Sequence, residues 1–234
     1  MAQKKLKRFA ELKTFSNVLE YPENMQGKWN QFFNNNHPIT LELACGKGEY
    51  AVGLGRLHKD RNFIGIDIKG NRMWVGAKTA NTEGLTNVAF LRTQIEKLAD
   101  YFAAGEVADI WITFPDPQLK INRAKKRLTF PRFIRIYQSI LAKAGSINLK
   151  TDSPDLYNFT KLVIDQFGFE LQQDLDNVYA DPAISADLGI QTHYEKLDIA
   201  QSNRIHYLRF TIDKMLPQTA EDDLKKILSE NESN

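Results

Sequence analysis

The stretch that decides the fold reads Leu41-Glu42-Leu43-Ala44-Cys45-Gly46-Lys47-Gly48-Glu49-Tyr50-Ala51. A short apolar strand predicted over residues 39–43 leads into a turn with two glycines, and a helix is predicted from 49 to about 58. The alternation continues, with strands predicted over 62–68, 88–91, 109–114, 146–150 and 205–212 and helices over 70–83, 133–142 and 154–167. This pattern predicts an α/β protein with a doubly wound, mostly parallel sheet covered on both faces.

Length and composition bound the organisation of the chain. The 234 residues predict one large domain, which we assign to residues 39–216. Residues 1–38 are predicted to form a basic, partly mobile N-terminal extension that starts with a helix over 1–13. Residues 217–234 are predicted to form an acidic, helical C-terminal tail. A single cysteine, Cys45, indicates a cytoplasmic protein that needs no disulfide. No apolar run approaches the roughly 18 residues of a membrane span, so no membrane partner is expected.

The glycine turn indicates a nucleotide-like cofactor. It matches the fingerprint Gly46-x-Gly48-x-x-Ala51, and Asp67 follows Gly48 by nineteen residues at the end of the next strand. The spacing fits NAD or S-adenosylmethionine (SAM), because both need backbone without a Cβ near the ligand and a carboxylate for the ribose hydroxyls. Glu42 favours SAM, since its carboxylate would repel a pyrophosphate and attract ammonium and sulfonium charges. The alternative is a tight structural turn whose acids are solvated.

A second motif follows the fourth predicted strand, where Pro115-Asp116-Pro117 comes directly after the segment 109–114. Each proline restricts the residue before it to extended backbone, so Asp116 is held at the C-terminal end of a strand. A carboxylate followed by a cationic loop suits a substrate with a base to recognise and phosphates to neutralise. The alternative is a turn followed by a solvated run of charge. Residues 120–135 carry seven cations and no acid: Lys120, Arg123, Lys125, Lys126, Arg127, Arg132 and Arg135.

Seven motifs occur along the chain in a specific order. They are Leu41-Glu42-Leu43-x-x-Gly46-Lys47-Gly48-Glu49, Phe63-Ile64-Gly65-Ile66-Asp67, Asn87-Val88, Phe114-Pro115-Asp116-Pro117-x-x-Lys120, Lys126-Arg127-Leu128, Lys150-Thr151-Asp152 and Thr192-His193-Tyr194-Glu195. With them the chain resembles the bacterial tRNA (guanine-N(7)-)-methyltransferase family from about residue 39 to 212. The resemblance implies a Rossmann-like, SAM-dependent methyltransferase fold. It also implies methyl transfer from SAM to nitrogen 7 of a guanine in the variable loop of tRNA.

The resemblance also implies roles for single residues. By this resemblance the active-site carboxylate is Asp116. The contacts to SAM come from Glu42, Asp67 and Gln94, with Gly46 and Gly48 in the cofactor turn. The tRNA is contacted by Lys120, Asp152, Thr192, Tyr194 and Glu195. Two positions depart from the family pattern. Gln118 stands where a Trp is usual, which puts stacking by that ring in question, and Gln94 stands where an acid is common.

The implied chemistry needs alignment and charge stabilisation rather than a general base. Nitrogen 7 of guanine carries an in-plane lone pair and attacks unprotonated, and methylation leaves a positive charge on the purine. We therefore expect Asp116 to accept hydrogen bonds from the N–H edge of guanine and to stabilise that charge. Arg127, with Arg123, Lys125 and Lys126, is assigned to the phosphate backbone, and Lys4–Arg8 are a weaker candidate for the same role.

Several alternatives stay open from the sequence. The chain could methylate another RNA, a protein or a small molecule with SAM, could be a non-catalytic RNA-binding subunit, or could be an NAD oxidoreductase. Asp152 could equally be the N-cap of the following helix. The four histidines show no ligand spacing, so no metal is expected. The expected partner is tRNA, and the chain is expected to act as a monomer or homodimer.

Overall fold

The computed structural model describes residues 2–180, 182–193, 195–197 and 203–232. Its helices are α1 (Ala2–Leu12), α2 (Trp29–Phe33), α3 (Glu49–Leu57), α4 (Gly70–Thr82), α5 (Pro131–Ile140), α6 (Pro154–Phe167) and α7 (Ala220–Glu232). Its strands are β1 (Val18–Glu20), β2 (Ile39–Leu43), β3 (Asn62–Asp67), β4 (Val88–Arg92), β5 (Val107–Thr113), β6 (Leu141–Thr151), β7 (Glu170–Leu175) and β8 (His206–Thr211).

The strands of the described residues form one sheet in the order β1-β4-β3-β2-β5-β6-β8-β7. β1 to β6 are all parallel to one another, and β8 is antiparallel to both β6 and β7. From β2 the chain adds β3 and β4 on one side and then returns to add β5 and β6 on the other. The C-terminal ends of β2 and β5 therefore form the switch point at which open α/β sheets bind ligands. The predicted fold class is confirmed.

The central strands are buried because helices cover both faces of the sheet. All five residues of β2 are buried. Leu41 and Leu43 join the apolar cluster that includes side chains of α5 and α6, whereas Tyr50 of α3 packs with Phe90 and Trp111 on the opposite face. α3 lies close to the sheet, since a Cβ on Gly55 would come within 2.2 Å of the Val88 side chain.

Some elements differ from the prediction. α5 ends at Ile140, so the last two residues of the helix predicted over 133–142 belong to β6 instead. Gly145 lies inside β6 rather than ending a helix, and a Cβ there would come within 2.8 Å of the Ala108 carbonyl, next to a register shift in β5. The short elements β1, α2 and β7 were not predicted.

Both extensions pack against the central domain through buried leucines. Leu12 of α1 is fully buried and α1 contacts α4. Leu224 of α7 is likewise fully buried, in contact with α5 and α6. The helix expected in each extension is present, while the division into three regions stays a prediction. Among the described helices, none combines the length and the apolar character that a membrane span requires.

Candidate active site

A cavity of about 1290 Å³ opens at the C-terminal ends of the parallel strands. Its walls come from residues at or after the ends of β2, β3, β4, β5 and β6, as expected for a switch point. The predicted site residues that line the cavity are Glu42, Gly46, Asp67, Gln94, Asp116, Asp152 and Thr192. Gly48, Lys120, Arg127 and Glu195 do not line it, and Tyr194 lies outside the described residues.

Glu42 is a buried carboxylate at the end of β2, with 3% of its surface exposed. One carboxylate oxygen accepts a hydrogen bond from the Ala51 backbone N–H at 2.8 Å, and the other accepts one from the Thr113 hydroxyl at 3.1 Å. Burial raises the pKa of Glu42 to about 8, and the negative charges of Glu49 and Asp67 add to the shift. A cation in the cavity would favour the ionised carboxylate, which is the property expected of a SAM site.

The glycine turn and Asp67 are tied together by backbone hydrogen bonds. One carboxylate oxygen of Asp67 accepts from the Gly46 N–H at 2.9 Å, and the other accepts from the Lys69 N–H at 2.7 Å. Gly48 has a φ of 68°, and a Cβ there would meet the Phe90 ring at 2.3 Å. Gly48 therefore serves the packing of the turn, whereas Gly46 lines the cavity.

Cys45 is a buried thiol in the same turn. Burial raises the pKa of the Cys45 thiol well above its ordinary value, and the nearby Glu42 and Asp67 carboxylates raise it further. A thiol held in the protonated form does not act as a nucleophile. Cys45 therefore serves as a small buried residue that fills the turn.

Two adjacent polar residues after β4 line the cavity, and the sequence singled out one of them. Gln94, the predicted cofactor contact, is extended and precedes the 3₁₀ turn Ile95–Asp100. Thr93 is 1% exposed, and among the described residues its hydroxyl has no hydrogen-bond partner. A buried hydroxyl without a partner at a cavity wall is a candidate ligand contact. This candidate could be found only from the burial of Thr93 in the folded chain, because in the sequence Thr93 is an ordinary Thr at the end of a strand.

Asp116 is an exposed carboxylate at the cavity, in the loop after β5. It accepts a hydrogen bond from the Gln118 N–H at 3.0 Å, which closes a tight turn across Pro117. Phe114 and Gln118 have φ values of 46° and 48°, so the prediction of extended backbone at Phe114, before Pro115, is wrong. Such left-handed backbone costs non-glycine residues about 1–3 kcal/mol each and is typical of functional sites. The strained loop presents the carboxylate at a defined position.

Arg127 holds this loop from within the protein, which does not fit the predicted phosphate contact. Its side chain is buried and its guanidinium donates hydrogen bonds to the carbonyls of Pro117, Gln118 and Leu119 at 3.2–3.4 Å. The guanidinium also lies 4.4 Å from the centre of the Phe159 ring. Burial lowers the pKa of Arg127. The residue therefore supports the backbone on both sides of Gln118 instead of facing solvent.

The other predicted phosphate ligands are exposed. Arg123, Lys125 and Lys126 belong to the 3₁₀ turn Ile121–Lys126, whose Ala124 is buried and anchors it. Lys120 is exposed just before this turn, outside the cavity wall, while Lys126 lines the cavity. Their positions remain compatible with a polyanion at the cavity mouth, and their role stays a prediction.

Glu195 is buried in an ion pair, which does not fit the predicted tRNA contact. Its carboxylate lies 3.0 Å from the ammonium of Lys150, a fully buried residue of β6, and accepts a hydrogen bond from the Tyr179 hydroxyl. Lys150 also donates to the carbonyls of Leu188 and Ile190 at 2.8 and 3.0 Å. One buried cation thus fastens the segment 188–193 and Glu195 to the sheet.

Thr192 is the residue that this anchoring places at the cavity. Its hydroxyl accepts a hydrogen bond from the Glu195 N–H at 3.2 Å, and its own N–H donates to the Glu195 carboxylate at 3.4 Å. Glu195 therefore positions Thr192 and does not itself reach the cavity.

Asp152 lines the cavity at the end of β6 and is not the N-cap of α6. The cap is Ser153, whose hydroxyl accepts a hydrogen bond from the Leu156 N–H at 3.3 Å, with Pro154 in the first helical position. The alternative structural interpretation of Asp152 is therefore wrong.

In the described part of the chain no three His, Cys, Asp or Glu side chains converge like metal ligands, and the absence of a metal stays a prediction.

Comparison with known proteins places this site in a family. A family model described as "Putative methyltransferase" matches residues 36–208. A tRNA (guanine-N(7)-)-methyltransferase of Porphyromonas gingivalis is 46% identical over 226 residues, which cover 92% of each chain. The chain belongs to the tRNA (guanine-N(7)-)-methyltransferase family. A further member, from Christiangramia forsetii, is 47% identical over 90% of this chain and 99% of its own. The resemblance inferred from the motifs is confirmed.

Solved structures of other methyltransferases share the fold of this family member. The 16S rRNA methyltransferase KamB superposes with a TM-score of 0.59 at 14% identity, over 82% of this chain and 95% of its own. The 16S rRNA (adenine(1408)-N(1))-methyltransferase of Catenulisporales acidiphilia gives a TM-score of 0.57 at 13% identity, over 82% and 94% of the two chains. At this level of identity the likeness supports the fold alone.

Proposed function

We propose that this methyltransferase transfers the methyl group of SAM to nitrogen 7 of a guanine in the variable loop of tRNA. The observation that supports this best is the cavity at the switch point, which joins the buried Glu42 and the half-buried Asp67 on one side to the exposed Asp116 on the other. Relatives named tRNA (guanine-N(7)-)-methyltransferase, at 44–47% identity over at least 90% of the chain, support the same reaction.

The residues on the cofactor side fit SAM. When bound, SAM supplies a methyl group carried on a positively charged sulfur. Glu42 is a carboxylate that is costly to ionise alone, so it would hold the cationic groups of the cofactor. Asp67 keeps acceptor capacity beyond its two backbone hydrogen bonds and would hold the ribose hydroxyls. Gly46, Gln94 and Thr93 complete this side of the cavity.

The residues on the substrate side fit a guanine that attacks through nitrogen 7. No residue has to remove a proton, because the attacking lone pair is free at neutral pH. Asp116 accepts hydrogen bonds from the N–H edge of the base, which distinguishes guanine from adenine, and its charge stabilises the cationic product. The two prolines and Arg127 hold Asp116 in place, so little reorganisation is needed during the reaction.

The tRNA backbone is assigned to the exposed cations around the cavity mouth. Lys120, Arg123, Lys125 and Lys126 would neutralise phosphates, and Asp152 and Thr192 would contact the nucleoside from the β6 side. We assign Arg127 and Glu195 to positioning instead. Because the substrate is tRNA, we also propose that the enzyme works in the cytoplasm, as a monomer or homodimer.

The decisive experiment is methylation of unmodified tRNA by the purified protein with radiolabelled SAM. We expect label in the tRNA, strand scission at the modified purine after borohydride and aniline treatment, and no label with adenine in place of the target guanine. Label without scission would place the methyl group on another atom and contradict the proposal. Binding of tRNA without label would indicate a non-catalytic RNA-binding subunit.

A further inference from the structure

α1 is docked on α4 through side chains of both helices. Leu12 is fully buried, and a Cβ on Gly70 would touch Leu12 and Phe9 at 3.0 Å, so the two helices meet closely where α4 begins. The Glu11 carboxylate accepts a hydrogen bond from the Trp74 indole N–H at 2.9 Å. α4 thus covers Phe9 and Leu12 of α1, whereas Leu6 stays exposed.

The docked pair carries cations and few acids. Arg8 of α1 and Lys78 of α4 lie over the same Trp74 ring, 4.6 and 4.8 Å from its centre, and Lys5 and Lys7 of α1 are exposed. We define Lys5, Lys7, Arg8, Trp74 and Lys78 as the α1–α4 face. α4 contains no acidic residue, and the one acid of α1 is Glu11, which is bonded to Trp74.

The α1–α4 face is continuous with the cavity. Lys69 and Arg72, at the start of α4, line the cavity from the β3 side, whereas Lys126 lines it from the β5 side. Exposed cations therefore flank the cavity mouth in both directions along the sheet. A chain of phosphates that enters from the basic loop 120–126 would meet cations again where it leaves across α4.

We propose that the α1–α4 face binds the phosphate backbone of the tRNA, as a second cationic surface across the cavity from the basic loop 120–126. The inference rests on the proposed function, since it takes tRNA as the substrate. An acidic lipid surface fits less well, because Phe9 and Leu12 pack on α4 and the described part of α1 offers a bilayer only Leu6 as a large exposed apolar side chain. Docking also fixes the cations before binding, so little entropy is lost when phosphates arrive.

The test neutralises three cations that lie outside the cavity wall, in the variant Lys5→Gln/Lys7→Gln/Lys78→Gln. The matched control removes the same charge far from the site, in Lys143→Gln/Lys225→Gln/Lys226→Gln, whose lysines are all exposed. The dissociation constant of unmodified tRNA is measured from 50 to 300 mM KCl, together with kcat, KM for tRNA and the affinity for SAM. Thermal unfolding confirms that each variant is folded.

We expect the first variant to bind tRNA on the order of 10- to 100-fold more weakly. We also expect the slope of log K against log salt to fall by about 2 to 3, since each of the three lost phosphate contacts contributes slightly less than 1. KM for tRNA rises, while kcat at saturation and the affinity for SAM stay at the wild-type values. The control variant behaves as wild type.

Two results would overturn the inference. One is a folded variant with wild-type tRNA affinity and salt slope. The other is a variant that loses binding to phosphatidylglycerol vesicles and not to tRNA, which would make the face a lipid site. A wild-type protein that binds tRNA through this face without methylating it would contradict the proposed function alone, so the two failures are distinguishable.

Discussion

The role of Asp116 depends on a single side chain, because its carboxylate is the group that the loop after β5 presents to the cavity. Pro115 and Pro117 have a fixed φ of their own on either side of Asp116, and Phe114 and Gln118 adopt left-handed φ values around them. The hydrogen bond from the Gln118 N–H occupies one carboxylate oxygen and leaves acceptor sites for a base. Strained backbone of this kind is typical of functional sites, which fits a carboxylate whose position matters for the reaction.

Asp116→Asn tests this role with a change of one atom. An amide cannot offer two acceptors to the N–H edge of guanine and carries no charge to stabilise the product. We expect turnover to fall by about 10²–10³-fold, as for loss of a preorganised electrostatic group, with SAM affinity unchanged. Asp165→Asn, an exposed change on α6, is the matched control. Wild-type turnover of Asp116→Asn would remove this carboxylate from the mechanism.

Glu42 predicts a pH dependence of stability in the ligand-free protein. Its pKa is about 8 in the folded state against an ordinary value of 4.5, so between these values the folded state holds a proton that the unfolded state has lost. Stability from this group is therefore present below pH 4.5 and is lost as pH rises through 8. Wild type should lose stability relative to Glu42→Gln between pH 5.5 and 8.5, measured by urea unfolding. A difference between the two proteins that does not change with pH would contradict the prediction.

At the scale of elements, the structure shows which predictions the pattern of residues could support. The buried strands β2 to β5 and the helix α6 follow from apolar runs and from end signals such as Ser153-Pro154 and Gly168. β7 was not predictable in this way, because it lies at the sheet edge and all but its last residue are exposed. β7 pairs with β8 although its sequence is polar and lacks the alternation of apolar and polar residues that marks a half-buried strand.

Residues 188–193 belong to no helix or strand, and their position depends on the buried pair of Lys150 and Glu195. Lys150→Met removes the cation and leaves a buried carboxylate, so we expect a loss of about 3–5 kcal/mol in the free energy of unfolding. The double variant Lys150→Met/Glu195→Gln removes both charges and should recover part of that loss. Urea unfolding of the single and double variants measures the coupling between the two residues.

The exposed pair of Lys225 and Asp222 provides the control for this cycle. Lys225→Met should leave the unfolding midpoint unchanged, because solvent screens exposed ion pairs. If Lys150→Met also left the midpoint unchanged, the buried pair would not be what fastens the segment. Because Thr192 depends on the same segment, Lys150→Met should also raise KM for tRNA.

At the scale of the whole molecule, the topology accounts for what the sequence could predict of the site. Residues that follow neighbouring parallel strands must meet at one edge, so Glu42, Asp67 and Asp116 could be grouped without coordinates. The roles of Arg127 and Glu195 could not be predicted. Arg127 bonds to backbone carbonyls of the preceding loop, which no side-chain pattern marks, and Glu195 pairs with a cation distant in the chain. A charged residue in a polar motif looks the same in sequence whether it is exposed or buried. Burial, which decides its role, is a property of the folded chain.

The net charge of +2 is small, so binding of a polyanion depends on how the fold distributes the cations. Arg123→Gln/Lys125→Gln/Lys126→Gln removes three exposed charges and should lower the salt slope of tRNA binding by about 2 to 3, since each phosphate contact contributes slightly less than 1. Arg127→Met should leave that slope at the wild-type value and reduce kcat instead, because its guanidinium supports the loop of Asp116 and does not face solvent. Binding isotherms from 50 to 300 mM KCl, with steady-state kinetics, separate the two effects. A salt slope that falls in Arg127→Met would return this residue to the phosphate contacts and would require its hydrogen bonds to the loop to open when tRNA binds.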